Sequence, residues 1–282
     1  MPPKRIRLLG DFHEDHRISM DVYSHFLYEG INKHFSEDYI AKEYTPKIPS
    51  FYKLFSKIPI VKMRLLRYIS YPFQIRNFDE DIFHIIEHGY AHLTNKKNVM
   101  KSSIVTVHDL IPTMKWRGKI KGMEPGSRPR LSMYSLNQLE NARRIIAISE
   151  NTKRDLVNLL GLNPNKIKVI YYGIGDQFKF KKVEKRAELR KKLGLPDENT
   201  KLILITGQEL YKNHRTCLKV MKIIEAKYPK EIRMVRLGSD YPEWDKFQKD
   251  NKLVNKVIQI NKLDLEEVVD LYNCIDVLLF HS

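Results

Sequence analysis

Short apolar runs alternate with longer amphipathic segments along the 282-residue chain, and this alternation restricts the folds open to it. A first series of apolar runs occupies residues 6–10, 81–86, 103–107, 144–148 and 166–170. A second series occupies residues 202–206, 232–237, 257–260 and 275–280. Apolar runs of this length that alternate with helical patterns are typical of parallel βαβ units. The sequence therefore predicts an α/β protein with two doubly wound parallel-sheet domains that face a cleft.

The two series also predict where the domains begin and end. We expect a first domain at residues 1–176, a charged linker with a short helix at 177–200, and a second domain at 201–282. A helix is predicted over residues 21–35, with an apolar face made of Val22, Phe26, Leu27 and Ile31. Prolines between residues 44 and 60 exclude a long helix there, and a short helix is expected near residues 60–69.

The charge balance predicts a partner that carries phosphate. Fifty Lys and Arg residues oppose 34 Asp and Glu residues, which gives a formal net charge of +16. Such a charge attracts nucleic acid, an anionic membrane or a phosphorylated small molecule, although a solvated basic surface is an equal alternative. Residues 44–78 contain no acid, and residues 181–192 form a second basic stretch. No RNA-recognition, zinc-finger or helix-turn-helix pattern occurs, so nucleic acid is not the expected partner.

Several classes of protein are excluded by what the sequence lacks. No uninterrupted apolar run reaches the roughly 18 residues of a membrane span, and residues 1–9 do not resemble a secretion signal. The two cysteines, Cys217 and Cys274, have no metal-site spacing and cannot build a disulfide framework. A cytoplasmic location is therefore expected. The motifs His-Glu-x-x-His and Gly-x-Ser-x-Gly are absent, which argues against a zinc-dependent or serine hydrolase.

Polar loops follow the predicted strands, where parallel sheets bind their ligands. In the first domain these loops cover residues 10–19, 87–92, 108–109 and 149–152. In the second domain, Gly207 begins a loop that reaches Lys212 and Asn213 and opens a helix. A helix N-terminus beside a lysine favours an anion, although this loop is not a Walker A motif. A phosphate site is the hypothesis here, and an ordinary connecting loop is the alternative.

Five segments along the chain together resemble a known family. They are residues 104–112 (IVTVHDLIP), 142–153 (ARRIIAISENTK), 166–174 (KIKVIYYGI), 204–213 (LITGQELYKN) and 267–282. In this order they resemble the motifs of the retaining, nucleotide-sugar-dependent glycosyltransferases of family 4, which have the two-Rossmann GT-B fold. Each motif is weak by itself, and the argument rests on their order and spacing.

The resemblance implies a role for particular residues. It places His108 and Asp109 at the reaction centre, and it assigns Gly207, Gln208, Lys212 and Asn213 to the donor diphosphate. It places Lys262 and Leu263 beside the nucleobase, and His16, Arg17 and His88 on the acceptor side. Positive charge at the leaving diphosphate would stabilise the negative charge that develops there, so no metal or other cofactor is expected.

The chain departs from the family pattern in three places. Residues 17–20 lack the glycines that the family usually has in its first loop. Gln208 stands where the family usually has an arginine, and residues 201–282 contain no Glu-x7-Glu segment, which the family has in its second domain. We therefore expect a truncated second domain. The expected function is transfer of a sugar, with retention, from a nucleotide-diphosphate-sugar donor to a glycan, a lipid-linked or a small-molecule acceptor. Peripheral contact with an anionic membrane is part of this expectation. The alternative is a non-catalytic GT-B-like binding protein.

Overall fold

The computed structural model describes residues 1–50, 63–120, 123–207, 212–228, 231–239, 241–250 and 252–280. The chain divides into two compact units, Met1–Tyr172 and Gly173–Ser282. Each unit is built on a parallel sheet, so the predicted α/β class with two doubly wound domains is confirmed.

The first unit contains a six-stranded parallel sheet. Its strands are β1 (Lys4–Leu9), β2 (Tyr39–Tyr44), β3 (Ile82–Ile85), β4 (Ser103–Val107), β5 (Arg144–Ala147) and β6 (Ile167–Val169). Their spatial order is β2-β1-β3-β4-β5-β6, with every neighbouring pair parallel. The chain reverses its direction of travel across the sheet between β1 and β3. In doubly wound sheets this switch point opens the crevice that binds ligands.

Helices and short turns connect these strands. The helices are α1 (Ile18–His34), α2 (Tyr71–Gln74), α3 (Lys97–Met100), α4 (Ile111–Trp116), α5 (Arg130–Asn137) and α6 (Glu150–Leu160). A π-helical turn, Leu66–Ser70, precedes α2. The 3-10 turns are His13–Asp15, His88–Asn95, Gln138–Asn141 and Pro164–Lys166. The core lies between sheet and helices, where Leu9, Phe83, Val105 and Ile145 are fully buried.

Strand β2 was not predicted from the sequence. Its six residues place only Ala41 in the core, and they include the charged Lys42 and Glu43. An edge strand pairs on one side only, so it needs no continuous apolar run. The apolar pattern that predicts the inner strands is therefore missing here.

The apolar face predicted for α1 is half wrong. Leu27 and Ile31 pack against the core as predicted, and Tyr23, which was not predicted, packs there too. Val22 and Phe26, however, are exposed. The helix instead turns Met20 and Ser24 inward, because Ser24 donates a hydrogen bond to Glu43 on β2 at 2.6 Å. An unpredicted strand thus sets the rotation of this helix.

The second unit contains a four-stranded parallel sheet. Its strands are β7 (Lys201–Thr206), β8 (Ile232–Leu237), β9 (Val257–Ile260) and β10 (Val277–Leu278), in the order β10-β7-β8-β9. Its helices are α7 (Arg186–Lys192), α8 (His214–Lys227), α9 (Pro242–Asp250) and α10 (Leu265–Cys274), with 3-10 turns at Val183–Lys185 and Val254–Lys256. The switch point lies between β7 and β10.

Helix α7 lies in the segment 177–200 and packs on the second unit. Arg190 is buried and donates hydrogen bonds to the carbonyls of Cys274 at 2.9 Å and Thr200 at 2.8 Å. Its guanidinium also pairs with Asp276 at 2.9 Å. Burial of a guanidinium group is tolerated only where its N–H donors have partners. Each nitrogen of the Arg190 guanidinium has one here. The helix is therefore fixed to the strand β10 end of the unit.

Candidate functional site

Three neighbouring strands of the first unit end in polar loops at one edge of the sheet. Arg17 follows β1, Glu87 and His88 follow β3, and His108 and Asp109 follow β4. Because β1, β3 and β4 are adjacent in a parallel sheet, their carboxyl ends meet. The fold thus gathers residues that are far apart in the sequence.

Glu87 is the centre of the ionic contacts at this edge. Its Oε2 accepts a hydrogen bond from the Gly89 N–H at 2.7 Å, where it caps the 3-10 turn that follows. Arg17 places one guanidinium nitrogen 2.7 Å from the same oxygen and 3.7 Å from Asp11 Oδ2. His88 Nδ1 lies 2.9 Å from Glu87 Oε1. One buried carboxylate therefore holds two sequence-predicted residues, Arg17 and His88, together.

Asp11 is buried beside this cluster. It is 2% exposed, and neither carboxylate oxygen has a hydrogen-bond partner in the part of the chain that the structure describes. Burial raises the pKa of Asp11 to about 7, and the Glu87 charge acts in the same direction. Asp11 is therefore divided between its neutral and charged forms near neutral pH.

The pKa values of Glu87 and His88 both shift so as to favour the charged form, whereas that of Asp11 shifts to favour the neutral form. Burial disfavours the charge on each, yet their mutual attraction overrides it. The pKa of Glu87 falls far below its usual range because His88 and Arg17 stabilise the carboxylate. The pKa of His88 rises because Glu87 stabilises the imidazolium. Two carboxyl groups whose pKa values diverge at one site are typical of functional clefts.

His108 is held in one tautomer. Its Nε2 lies 2.7 Å from the Ile86 carbonyl, to which it donates a hydrogen bond, so Nδ1 accepts one from the Tyr172 hydroxyl. The Thr152 hydroxyl donates to the His108 carbonyl at 3.2 Å. Burial lowers the pKa of His108, so the ring is neutral at pH 7. A neutral, fixed imidazole is suited to orienting a ligand rather than to carrying charge.

Aromatic and polar side chains pack around the His108 ring. The Tyr23 ring meets it edge-on at 5.2 Å between centroids, and the Tyr23 hydroxyl lies 3.1 Å from Thr106 Oγ1. His84 Nε2 lies 2.8 Å from the same Thr106 hydroxyl, and burial lowers the pKa of His84 to about 4. These neutral groups fix the imidazole of His108. Sequence analysis missed Tyr23 and Tyr172, although Tyr172 lies in the quoted segment 166–174.

Asp109 and His16 lie at the margin of this cluster. Asp109 is exposed, and its Oδ1 accepts a hydrogen bond from the Ile111 N–H at 3.0 Å, at the start of α4. His16 is exposed in the left-handed region at φ 52° and closes the 3-10 turn through its N–H to His13. Both residues therefore shape the loops that carry Arg17 and His108.

A cavity of about 520 Å³ opens in the first unit. Its lining includes Asp15, Arg17, Arg67, Tyr68, Glu87 and His88. Asp15 and Glu87 come from the loops after β1 and β3, on either side of the switch point. The cavity thus lies where the sheet topology predicts a ligand.

In the second unit, Gly207 and Lys212 approach each other closely. Gly207 has φ +101°, and a Cβ atom there would lie 3.1 Å from Lys212 Cγ. The Lys212 ammonium lies 5.2 Å from the centre of the Phe280 ring. Asn213 precedes α8 in the left-handed region, and its side chain accepts a hydrogen bond from the Thr216 hydroxyl at 2.9 Å. Gln208 lies outside the described residues.

A buried arginine joins the ends of β7 and β8. Gly238 has φ +148°, and a Cβ atom there would lie 2.5 Å from the Gly207 carbonyl oxygen. Arg236 is fully buried and donates hydrogen bonds to the carbonyls of Gly207 at 3.2 Å and Ser239 at 2.6 Å. Two strand ends therefore touch with no space for a side chain. Sequence analysis missed both Arg236 and Gly238.

The loop after β9 completes this edge of the second sheet. Gln259 donates a hydrogen bond to the Gly238 carbonyl at 2.5 Å and another to Asn261 Oδ1 at 3.0 Å. Lys262 is exposed, whereas Leu263 packs against the core of the unit. Lys262 and Leu263 thus follow β9 at the edge where Gly207 follows β7.

The model of Glycosyltransferase Family 4 matches residues 22–178, more than half of the chain. The chain belongs to glycosyltransferase family 4. Within this family 4 chain, the match includes His88, His108 and Asp109. His16 and Arg17 lie before the matched region, and Gly207, Lys212 and Lys262 lie after it.

Solved structures show that this family 4 chain has the GT-B fold. Sucrose-phosphate synthase from Thermosynechococcus elongatus is 16% identical, with a TM-score of 0.67 over 98% of this chain and 74% of that one. A glycosyltransferase from Rickettsia africae is 17% identical, with a TM-score of 0.58 over 99% and 73%. HepE from Anabaena, solved with UDP and glucose, is 12% identical, with a TM-score of 0.63 over 99% and 74%. No curated protein sequence matches this chain.

Two further observations concern membranes and metals. Within the described ranges, no helix has both the length and the apolar character needed to cross a bilayer. Among the residues that the structure describes, no group of three or more His, Cys, Asp or Glu side chains is arranged to hold a metal ion.

Proposed function

We propose that this protein transfers a sugar from a nucleotide-diphosphate-sugar donor to an acceptor, with retention of the anomeric configuration. The family match over residues 22–178 is the observation that carries the proposal. Support also comes from the ligands of two structural neighbours: HepE was solved with UDP-glucose, and an Escherichia coli protein with UDP-2-fluoro glucose. We assign a hexose as the sugar and a role in glycan biosynthesis.

We assign donor binding to the second unit. Gly207, Lys212 and Asn213 follow β7 at the switch point of its sheet, where α/β folds bind nucleotides. The close contact of the Lys212 side chain with Gly207 keeps its charge beside the loop. An ammonium group there would stabilise the charge that develops on a leaving diphosphate. We assign Gln208 to this loop and Lys262 and Leu263 to the nucleobase, with no metal required.

We assign the reaction centre and the acceptor side to the first unit. His108 is a neutral imidazole whose Nε2 proton is held by the Ile86 carbonyl, so its part is to orient the transferred sugar. Asp109 stabilises the loop that presents it. Arg17 and His88 lie beside Glu87 on the acceptor side, with His16 at the rim of the same loop.

Donor titration tests this assignment. We expect UDP-, GDP- or ADP-linked glucose to bind the wild-type chain, with Lys212→Met weakening binding by roughly tenfold, because a charge-assisted contact to the diphosphate is lost. Lys219→Met is the matched control, since Lys219 is an exposed lysine on α8. Calorimetry with and without EDTA measures both affinities.

Turnover separates the transferase from the binding protein. Release of free nucleotide from the bound donor, followed by chromatography, would support the transferase. Donor binding without any turnover across a panel of acceptors would support the non-catalytic alternative. Equal affinity of the Lys212→Met and Lys219→Met variants would remove Lys212 from the donor site.

We also propose a cytoplasmic enzyme that touches an anionic membrane. Ile69 and Phe73 lie four residues apart and are both more than half exposed, and the Arg76 guanidinium lies 3.5 Å from the Phe73 ring centre. Apolar side chains beside a cation suit a lipid interface. Sedimentation with phosphatidylglycerol vesicles tests this. Binding should weaken in Phe73→Ser but not in Phe180→Ser, an exposed aromatic of the second unit.

A further inference from the structure

The 520 Å³ cavity of the first unit has a strongly charged wall. The charged residues that line it are Asp15, Arg17, Arg64, Arg67, Glu87 and His88. Met63, Pro112 and Leu131 add apolar surface. A concave site of this size with a few charged groups accommodates a ligand no larger than a small sugar derivative or a headgroup.

The helical segment around the π turn Leu66–Ser70 brings two of the arginines to this wall. Arg64, Arg67 and Tyr68 are three and four residues apart, so they share one side of the segment, and all three line the cavity. The wide turn is closed by the Tyr71 N–H, which donates to the Leu66 carbonyl. The buried Tyr71 hydroxyl donates to the Gly10 carbonyl at 2.7 Å. The arginines are therefore fixed relative to the loop after β1.

The cationic groups of the wall exceed its carboxylates. Arg17 pairs with Glu87, and Arg67 pairs with Asp15. Arg64 is exposed and has no ion-pair partner in the ranges that the structure describes. The Nε of Arg67 is buried and has no hydrogen-bond partner in that same part of the chain. Since a guanidinium carries five donors, one carboxylate leaves several of them available to an anion.

We propose that this cavity binds the acceptor through a phosphate group held by Arg64 and Arg67. Planar guanidinium groups bind phosphate oxygens in pairs, which fixes the orientation of the ligand as well as its charge. The hydroxyl groups of the ligand face the carboxylates of Asp15 and Glu87. The identification of the ligand as the acceptor rests on the proposed function. The phosphate site itself rests on the cavity and its arginines. The phosphate belongs to a soluble sugar phosphate or to a phospholipid headgroup.

Binding of phosphate probes tests the proposal without any need for turnover. The probes are inorganic phosphate, glucose 6-phosphate and vesicles with phosphatidic acid, each compared with its uncharged counterpart at constant ionic strength. We expect at least one probe to bind the wild-type chain, and Arg64→Met to weaken that binding by roughly tenfold. Arg143→Met is the matched control, since Arg143 is an exposed arginine of the same unit that does not line the cavity. It should change the affinity by less than roughly twofold.

The pattern of binding identifies the source of the phosphate. Arg64-dependent binding of the soluble probes alone indicates a sugar phosphate, and such binding to vesicles alone indicates a lipid headgroup. Either result supports the proposal. Equal binding by Arg64→Met and Arg143→Met, or no binding of any phosphate probe, would overturn it.

A second variant and a donor control make the result unambiguous. Arg67→Lys keeps the ion pair with the buried Asp15 but loses the planar fork, so it should weaken phosphate binding while the chain stays folded. UDP-glucose binding is measured in the same samples. A wild-type chain that binds no nucleotide sugar would contradict the proposed function and leave the phosphate result intact.

Discussion

At the residue scale, the buried carboxyl group of Asp11 makes the stability of the first unit depend on pH. Its pKa is about 7 in the folded chain, against 3.8 for an unperturbed aspartate, because burial and Glu87 disfavour the charge. The folded state therefore binds more protons than the unfolded state between about pH 4 and pH 7. Stability falls as the pH rises through this window, by at most about 4 kcal/mol for a shift of roughly three units.

Asp11→Asn removes this pH dependence, because an amide cannot ionise. The variant should gain stability relative to wild type as the pH rises from 4 to 8, by about 2–4 kcal/mol at the upper end. Urea unfolding followed by Trp116 fluorescence, in a chain that also carries Trp244→Phe, measures the difference. Asp38→Asn is the control, since Asp38 is exposed in the same unit. A constant difference between Asp11→Asn and wild type at all pH values would show that Asp11 does not titrate in this window.

At the element scale, the contact between the ends of β7 and β8 leaves no space for a methyl group. Gly238→Ala combines an unfavourable φ of +148° with a Cβ atom 2.5 Å from the Gly207 carbonyl oxygen, and that oxygen is backbone. We expect a loss of about 2–4 kcal/mol in the free energy of unfolding. Calorimetric or urea unfolding measures it.

Gly194→Ala is the matched control for that substitution. Gly194 also has a positive φ, +65°, but a Cβ atom there would meet nothing within 4 Å among the described residues. Its cost should be only the conformational one, about 1 kcal/mol. Equal losses in the two variants would mean that the strand ends separate to make room. A larger loss in Gly238→Ala would show that the two strand ends do not separate enough to make room for the methyl group.

Elements with a continuous apolar run were predictable, and elements that depend on their neighbours were not. The apolar run at residues 103–107 matches β4. Strand β2 was not predicted, because this edge strand buries only Ala41 and has no continuous apolar run. In the site, the polar loops that carry Arg17, His88 and His108 were predicted because they follow strands, and the family resemblance supplied the roles of these residues. Glu87 joins them only because β1 and β3 are neighbours, which is a property of the sheet order. Arg236 was not predicted, because a charged residue inside a strand is expected at the surface unless its buried carbonyl partners are known.

At the scale of the whole molecule, each unit has its own core and its own tryptophan. Trp116 packs against the core of the first unit, and Trp244 is fully buried in that of the second. The sequence has only these two tryptophans. Variants that keep one of them, Trp244→Phe and Trp116→Phe, therefore report the unfolding of one unit at a time.

Ligand linkage then tests which unit binds the donor. A nucleotide that binds the folded second unit should stabilise it by about 2.7 kcal/mol at one hundred times its dissociation constant. UDP should thus shift the unfolding transition reported by Trp244 and leave the transition reported by Trp116 where it is. A phosphate probe should do the reverse, because its proposed cavity lies in the first unit. If UDP moved both transitions equally, the units would unfold as one and the donor would stabilise the chain as a whole. If UDP moved only the Trp116 transition, Gly207 and Lys212 would not form the donor site.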